Sequence, residues 1–241
     1  MIAATGDSTR FLEYFLQFRK TYTATIQLGS ETDTLDNTGI GIQSLPVPQV
    51  HETEIEVARL KFIGVIEQIP PLFSNVRVDG KRAHELARGG QSAELKPRRA
   101  EIYDLSLVVR SGKFIDMRCT VSSGTYIRSL ARDIAVALGT CGHLTALRRT
   151  RIGDFSVTTE VPEYSSPAGF ITRQLADAEA LPFFDAVEIT EGEHRRVYQG
   201  QAIRLAEDVA PGIKRVFAAG KFVGLARCDG KVLRVEKIYP N

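Results

Sequence analysis

Ser122–Gly153, SSGTYIRSLARDIAVALGTCGHLTALRRTRIG, is the stretch whose reading decides the fold. Ser123, Gly124 and Thr125 interrupt the β-rich segment before them. Ile127, Leu130, Ile134 and Leu138 then recur at helical spacing, and the polar side of that helix carries Arg128, Arg132 and Asp133. Gly139 stops it, as a residue that tolerates positive φ at a helix C-terminus. After a second turn, Leu144 and Leu147 lead into Arg148, Arg149 and Arg151. One short element thus brings Tyr126, several guanidiniums and a leucine toward a common place. A flat ring and fixed cations suit a flipped base and its phosphates. Composition alone reads the same residues equally as a core tyrosine and a solvated arginine face.

Upstream of this element, Ala100–Arg110 and Lys113–Val121 read as strands joined by a Ser111-Gly112 turn. Pro70 and Pro71 break the chain before a short strand, Leu72–Val78, and Asp79-Gly80 is a turn signal. Lys81–Arg88 has helical spacing and ends at Gly89-Gly90. His51–Gly64 reads as a helix closing on Phe62 and Ile63, preceded by a Pro46–Val50 linker. Gly29–Gly39 is a polar loop, and Thr21–Leu28 a strand. A first helix, capped by Ser8 or Asp7, has Phe11, Leu12, Phe15 and Leu16 as its apolar face.

Downstream, Phe155–Thr159 reads as a strand and Ile171–Ala180 as a short helix. Leu181-Pro182 marks the boundary between a main domain, residues 1–180, and a small module, residues 181–241. In that module Val197–Leu205, Arg215–Ala218, Lys221–Cys228 and Lys231–Ile238 read as strands, with turns at Ala219-Gly220 and Asp229-Gly230. The module is therefore expected to be all-β. About sixty residues are marginal alone, so it is expected to pack on the main domain.

The chain has 241 residues, 43% hydrophobic and 25% charged, as in ordinary globular proteins. Its net charge of +2 leaves any nucleic-acid affinity to local patches. Residues 77–99 supply such a patch: seven basic residues, Lys81, Arg82 and Arg88 among them, stand against three acidic ones. The three cysteines show no C-x-x-C pairing, which argues against a zinc site or a disulfide framework. Reduced thiols fit a cytoplasmic protein. No apolar run approaches the ~20 residues that span a bilayer, and Met1–Thr9 lacks the pattern of a signal peptide.

Four stretches, in order, resemble the bacterial tRNA pseudouridine-55 synthases, the TruB family. They are KTYTATIQLGSETDTLDNTG at Lys20–Gly39, IEQIPPLFSNVRVDGKRAHELARGG at Ile66–Gly90, the GTYIR-to-LRR segment within Ser122–Gly153, and the C-terminal module. The resemblance implies an α+β fold: a mixed, mainly antiparallel sheet of the pseudouridine synthase type with flanking helices, plus a small all-β PUA-like module. It implies an enzyme that isomerises the T-loop uridine of tRNA without cofactor or metal, working as a monomer off the membrane. Residues 70–99 match an RNA-gripping insertion, which favours phosphate contacts by Lys81, Arg82 and Arg88.

Residue by residue, Tyr22 matches the tyrosine that stacks on the flipped base and helps with its C5 proton. Tyr126 and Arg128 of GTYIR match a second tyrosine and the arginine that pairs with the catalytic aspartate and keeps it charged. Leu147 matches a leucine lining the base pocket. Asp36 matches an aspartate near the site, with its role open. Lys20 matches a basic residue beside the stacking tyrosine, and Arg148 and Arg149 are expected to meet phosphates. The family's nucleophilic aspartate lies in a G-x-L-D-P-x-A-x-G motif, which this sequence does not contain. Met1-Ile2-Ala3-Ala4 resembles the residues that follow that motif. Either the start is assigned too far downstream, the favoured expectation, or the chain is shortened and inactive. The rival readings are a non-catalytic RNA-binding or RNA-folding protein and a general protein-interaction domain.

Overall fold

The computed structural model describes residues 2–78, 80–89, 95–157 and 175–239. Its strands are β1 (Lys20–Leu28), β2 (Ser30–Thr32), β3 (Gly41–Ser44), β4 (Gly64–Gln68), β5 (Arg77–Val78), β6 (Lys81–Arg82), β7 (Arg98–Ser111), β8 (Phe114–Val121), β9 (Gly142–Ile152), β10 (Phe155–Ser156), β11 (Ala186–Ile189), β12 (Ile203–Ala218) and β13 (Lys221–Ile238). The helices are α1 (Glu52–Phe62), α2 (Ala83–Arg88), α3 (Ile127–Ala137), α4 (Asp177–Ala180) and α5 (Glu191–Tyr198). The chain falls into two units, Tyr14–Thr159, and Ile2–Glu13 together with Glu160–Asn241.

In the first unit β1 alternates Tyr22, Ala24, Ile26 and Leu28 with Thr21, Thr23, Thr25 and Gln27, so one face is apolar and the other threonine-rich. This strand lies inside a six-stranded antiparallel sheet of order β10-β9-β1-β8-β7-β4. Helices α1 and α3 cover the apolar face: Ile55, Leu130 and Ile134 join Ala24, Ile26, Ile102, Met117 and Cys119 in one core. The α3 period and its stop at Gly139, at φ +81°, are as the sequence spacing predicts. The β7–β8 hairpin also forms around the expected turn.

Several local expectations need correction. Gly6–Phe15 is a 3₁₀ helix. At three residues per turn Phe11 and Tyr14 share a face, so both are buried while Leu16 is 65% exposed. Only Arg77–Val78 of the expected 72–78 strand pairs, against Lys81–Arg82, which therefore opens the predicted helix as a strand. Val197 lies on α5, not on a strand; Thr190 and Glu193 form a capping box that starts this helix. The strand begins instead at Ile203. Asp229-Gly230 is no turn: β13 runs through it, pairing Gly230 with Val209 and Leu233 with Ile203 across register shifts. Strands β2, β3, β4, β9 and β11 were not foreseen. Asp79, Thr158, Thr159 and residues 171–174, on which three expectations fall, lie outside the described residues.

The second unit is β-rich. Strand β11 pairs parallel with β12, and β12 antiparallel with β13. Its core is built from Val187, Val197, Val216, Leu233 and their neighbours. The N-terminal segment belongs to this unit: Phe11, 2% exposed, packs its ring against Phe222 and Tyr239, and Glu13 pairs with Lys237 at 2.6 Å.

Candidate functional site

Strand β9 carries two register irregularities against β1. Ala24 pairs with Leu147, Thr23 with Arg148 and Tyr22 with Arg149, while Thr145 and Thr150 are the extra residues on either side. Each extra threonine hydroxyl donates back to β1, Thr145 to the Thr25 carbonyl at 3.3 Å and Thr150 to the Thr21 carbonyl at 3.2 Å. A bulge offsets the side-chain alternation by one residue. Leu144 faces the core opposite Ile26; with Thr145 paired in unbroken alternation, Ala146 and Arg148 would follow it on that face. With the bulge, Leu147 and Arg149 do. Tyr22 is half-buried against the core, whereas Leu147, opposite buried Ala24, is 48% exposed. The helix-covered face of the sheet therefore opens to solvent at Tyr22, Leu147 and Arg149. Arg148 stands on the opposite, threonine-rich face beside Thr23, so it and Arg149 do not point to one place.

The N-terminal turn of α3 is held by the last residue of β4, the chain that follows it, and the turn at Thr34. Gln68, 2% exposed, accepts the Tyr126 backbone N–H on Oε1 at 2.8 Å. The Ser129 hydroxyl donates to the Ile69 carbonyl at 2.7 Å. Arg128 donates to the Phe73 carbonyl at 2.8 Å and to the Thr34 carbonyl at 2.8 Å. Tyr126 is thus the residue before the helix and Arg128 the second within it, each tied to chain more than fifty residues away in sequence.

Arg128 also pairs with Asp36 at 3.1 Å, with the two side chains 24% and 26% exposed. Asp36 Oδ1 accepts from the Thr34 hydroxyl at 2.8 Å, the Thr38 N–H at 3.0 Å and the Thr38 hydroxyl at 2.5 Å. Burial pushes the Asp36 carboxyl up, but the Thr38 and Thr34 hydrogen bonds and the Arg128 charge outweigh it and hold it below the usual carboxylate range. The turn that presents Asp36 contains Leu35 at φ +60°, a conformation that costs a non-glycine residue about 1–2 kcal/mol. Leu35 is kept there by burial and by its carbonyl accepting the Leu144 N–H at 3.1 Å. Asp36, whose role the sequence left open, is the ion partner of Arg128.

Lys20 donates to the Leu16 and Phe18 carbonyls at 2.8 and 2.9 Å. Its ammonium is held below the usual lysine range, first by burial and then by the nearby Arg149 charge. Lys81 and Arg82 are exposed on the β5–β6 ribbon. Nothing is described of the Arg88 side chain, though its backbone ends α2. Sequence reasoning missed Gln68, Thr34 and Thr38. Among the described residues no cluster of three or more metal-ligating side chains occurs.

Residues 1–127 match the N-terminal domain of the TruB family of pseudouridylate synthases. The chain belongs to that family. Residues 128–163 match the tRNA pseudouridylate synthase B C-terminal domain, and residues 186–237 the C-terminal domain of the pseudouridine synthase II TruB type. The tRNA pseudouridine synthase B of Azoarcus sp. (strain BH72) is 40% identical over 97% of this chain and 78% of its own length. That of Thermobifida fusca (strain YX) is 37% identical over 98% of this chain and 80% of its own. A solved H/ACA ribonucleoprotein bound to a substrate RNA containing 2′-deoxyuridine superposes with a TM-score of 0.66 at 20% identity, over 99% of this chain and 71% of that chain. TruB membership makes this chain kin to pseudouridine synthases, which are isomerases, and the mixed α+β fold with its mainly antiparallel sheet and C-terminal β module fits that kinship.

Proposed function

We propose that this chain serves the isomerisation of the T-loop uridine of tRNA to pseudouridine, as a cytoplasmic monomer. The observation that carries the proposal is the opening of the apolar sheet face at Tyr22 and Leu147, in a unit that also holds an arginine oriented by Asp36. The reaction detaches uracil from the ribose at N1, turns it and rejoins it through C5, and the C5 proton leaves as the N1 proton is gained. The product is an isomer, so no co-substrate is consumed. In this reading the Tyr22 ring stacks on the flipped base and Leu147 lines its other edge. Tyr126 supplies a second ring. Lys20 and Arg149 meet the phosphates that flank the target, and Lys81, Arg82 and Arg88 grip the stem.

Cleaving the glycosidic bond needs a carboxylate placed to attack or deprotonate the sugar, and Asp36 is committed to Arg128, Thr34 and Thr38. A polypeptide of these 241 residues is therefore expected to bind T-stem-loop RNA with essentially no turnover. Joining a segment with the G-x-L-D-P-x-A-x-G motif upstream is expected to restore it. The measurement is pseudouridine content of a T-stem-loop RNA after incubation with each polypeptide. Robust turnover by the 241 residues would make Asp36 or Asp7 the candidate nucleophile. No turnover by either, with binding intact, would favour a non-catalytic tRNA-binding role.

A further inference from the structure

Gln68 closes β4 with its side chain on the covered face of the sheet, 2% exposed. A backbone N–H can only donate, so the amide must turn its oxygen toward Tyr126, and the 2.8 Å bond fixes which way it points. Its Nε2 is then buried with no acceptor among the described residues. A buried amide with an unmet donor is a stability burden that leucine or methionine of similar size would avoid. What the amide does supply is the acceptor for Tyr126.

The neighbouring bonds sharpen the assignment. The Ile69 carbonyl takes Ser129 and Arg132, and the Phe73 carbonyl takes Arg128. Those are backbone acceptors, which almost any residue at 69 or 73 provides. Gln68 alone in this segment uses a side chain, and its bond lands on the residue that carries the second aromatic ring. Tyr126 has no side-chain cap of its own and precedes the helix in an extended conformation, φ −95° and ψ 105°. Its N–H therefore has no helical partner, and Gln68 is the acceptor that N–H has among the described residues, while the Tyr126 carbonyl takes the Leu130 N–H at 3.0 Å.

We propose that Gln68 is a positioning residue for Tyr126, setting the angle at which that ring meets the extruded base. This rests on the proposed function. The test compares the binding of the full chain to two T-stem-loop RNAs, one with the target uridine and one abasic at that position, for the wild type and for Gln68→Met, Gln68→Asn and Gln68→Glu. Methionine keeps the volume and loses the acceptor, asparagine keeps the amide but draws it back from Tyr126, and glutamate keeps the acceptor. The ratio of the two dissociation constants reads the base-dependent part of binding and cancels losses shared by both RNAs. The wild type should favour the uridine RNA by roughly tenfold or more, as stacking on aromatic rings does. The ratio should fall to about unity in Gln68→Met and Gln68→Asn, and return in Gln68→Glu. Unfolding midpoints of each variant identify a loss caused by misfolding, and the asparagine and glutamate variants then carry the comparison. A ratio unchanged in Gln68→Met and Gln68→Asn, or lost equally in Gln68→Glu, overturns the inference. A wild type that binds both RNAs equally overturns the proposed function, and the inference with it.

Discussion

Replacing Asp36 by asparagine isolates the charge of the Arg128 pair. Asp36 Oδ1 holds three hydrogen bonds from Thr34 and Thr38, and an asparagine oxygen in the same place keeps all three. The amide nitrogen then faces the Arg128 guanidinium, donor against donor, where Oδ2 had accepted at 3.1 Å. A hydrogen bond between charged groups contributes about 1.5–3 kcal/mol, and side chains a quarter exposed lie at the low end, about 1.5 kcal/mol. In a unit of this size that lowers the unfolding midpoint by about 3–6 °C. Scanning calorimetry at pH 7 measures it, with the shift expected in the transition of the 14–159 unit.

The pH dependence has a definite sign. Asp36 binds its proton more weakly folded than unfolded, so its stabilisation is present above the ordinary aspartate pKa and is lost as pH falls through the lower folded value. The gap between wild type and Asp36→Asn should therefore be full at pH 6–7 and narrow below about pH 4. Equal midpoints at pH 7, or a gap of constant size down to pH 3, would refute the reasoning.

Two other outcomes follow from exposed and buried extremes of the same fold. Changing Lys81 and Arg82 together to alanine should reduce the slope of log affinity for tRNA against log salt by about 1–2, since each phosphate contact contributes slightly under one; an unchanged slope removes the β5–β6 ribbon from the interface. Phe11→Ala should destabilise the second unit by about 3–5 kcal/mol, because Phe11 is 2% exposed against Phe222 and Tyr239; calorimetry should show the loss there and leave the 14–159 transition in place.

What the sequence disclosed is what local spacing encodes. Helix α3 was legible because Ile127, Leu130 and Ile134 repeat at helical spacing and Gly139 ends it. The β7–β8 hairpin was legible because a glycine turn separates two β-rich runs. Helix α5 carried its signal too, in Thr190 and Glu193, but the valine and tyrosine that follow read as strand formers. The contacts that build the site are of another kind. Asp36 meets Arg128 across 92 residues and Gln68 meets Tyr126 across 58, and no local pattern marks either member. Family resemblance located Asp36 without its partner. The offset at Thr150 leaves no trace in hydropathy, since it lies among arginines, and the one at Thr145 shows only as the three-residue spacing of Leu144 and Leu147.

Those two threonines work as a pair of compensating frame shifts. Between them four residues are read in one phase, and on either side the strand is read in the other. Were Thr145 an ordinary paired residue, Ala146 and Arg148 would stand on the site face and Leu147 and Arg149 on the back; deleting it would leave Leu144 opposite Ile26 and Leu147 opposite Ala24 and only remove the irregularity. Substituting Thr145 by alanine would remove one hydroxyl and leave the phase as it is. The phase in which this short segment pairs, rather than the identity of its threonines, decides that Tyr22 faces a leucine and an arginine.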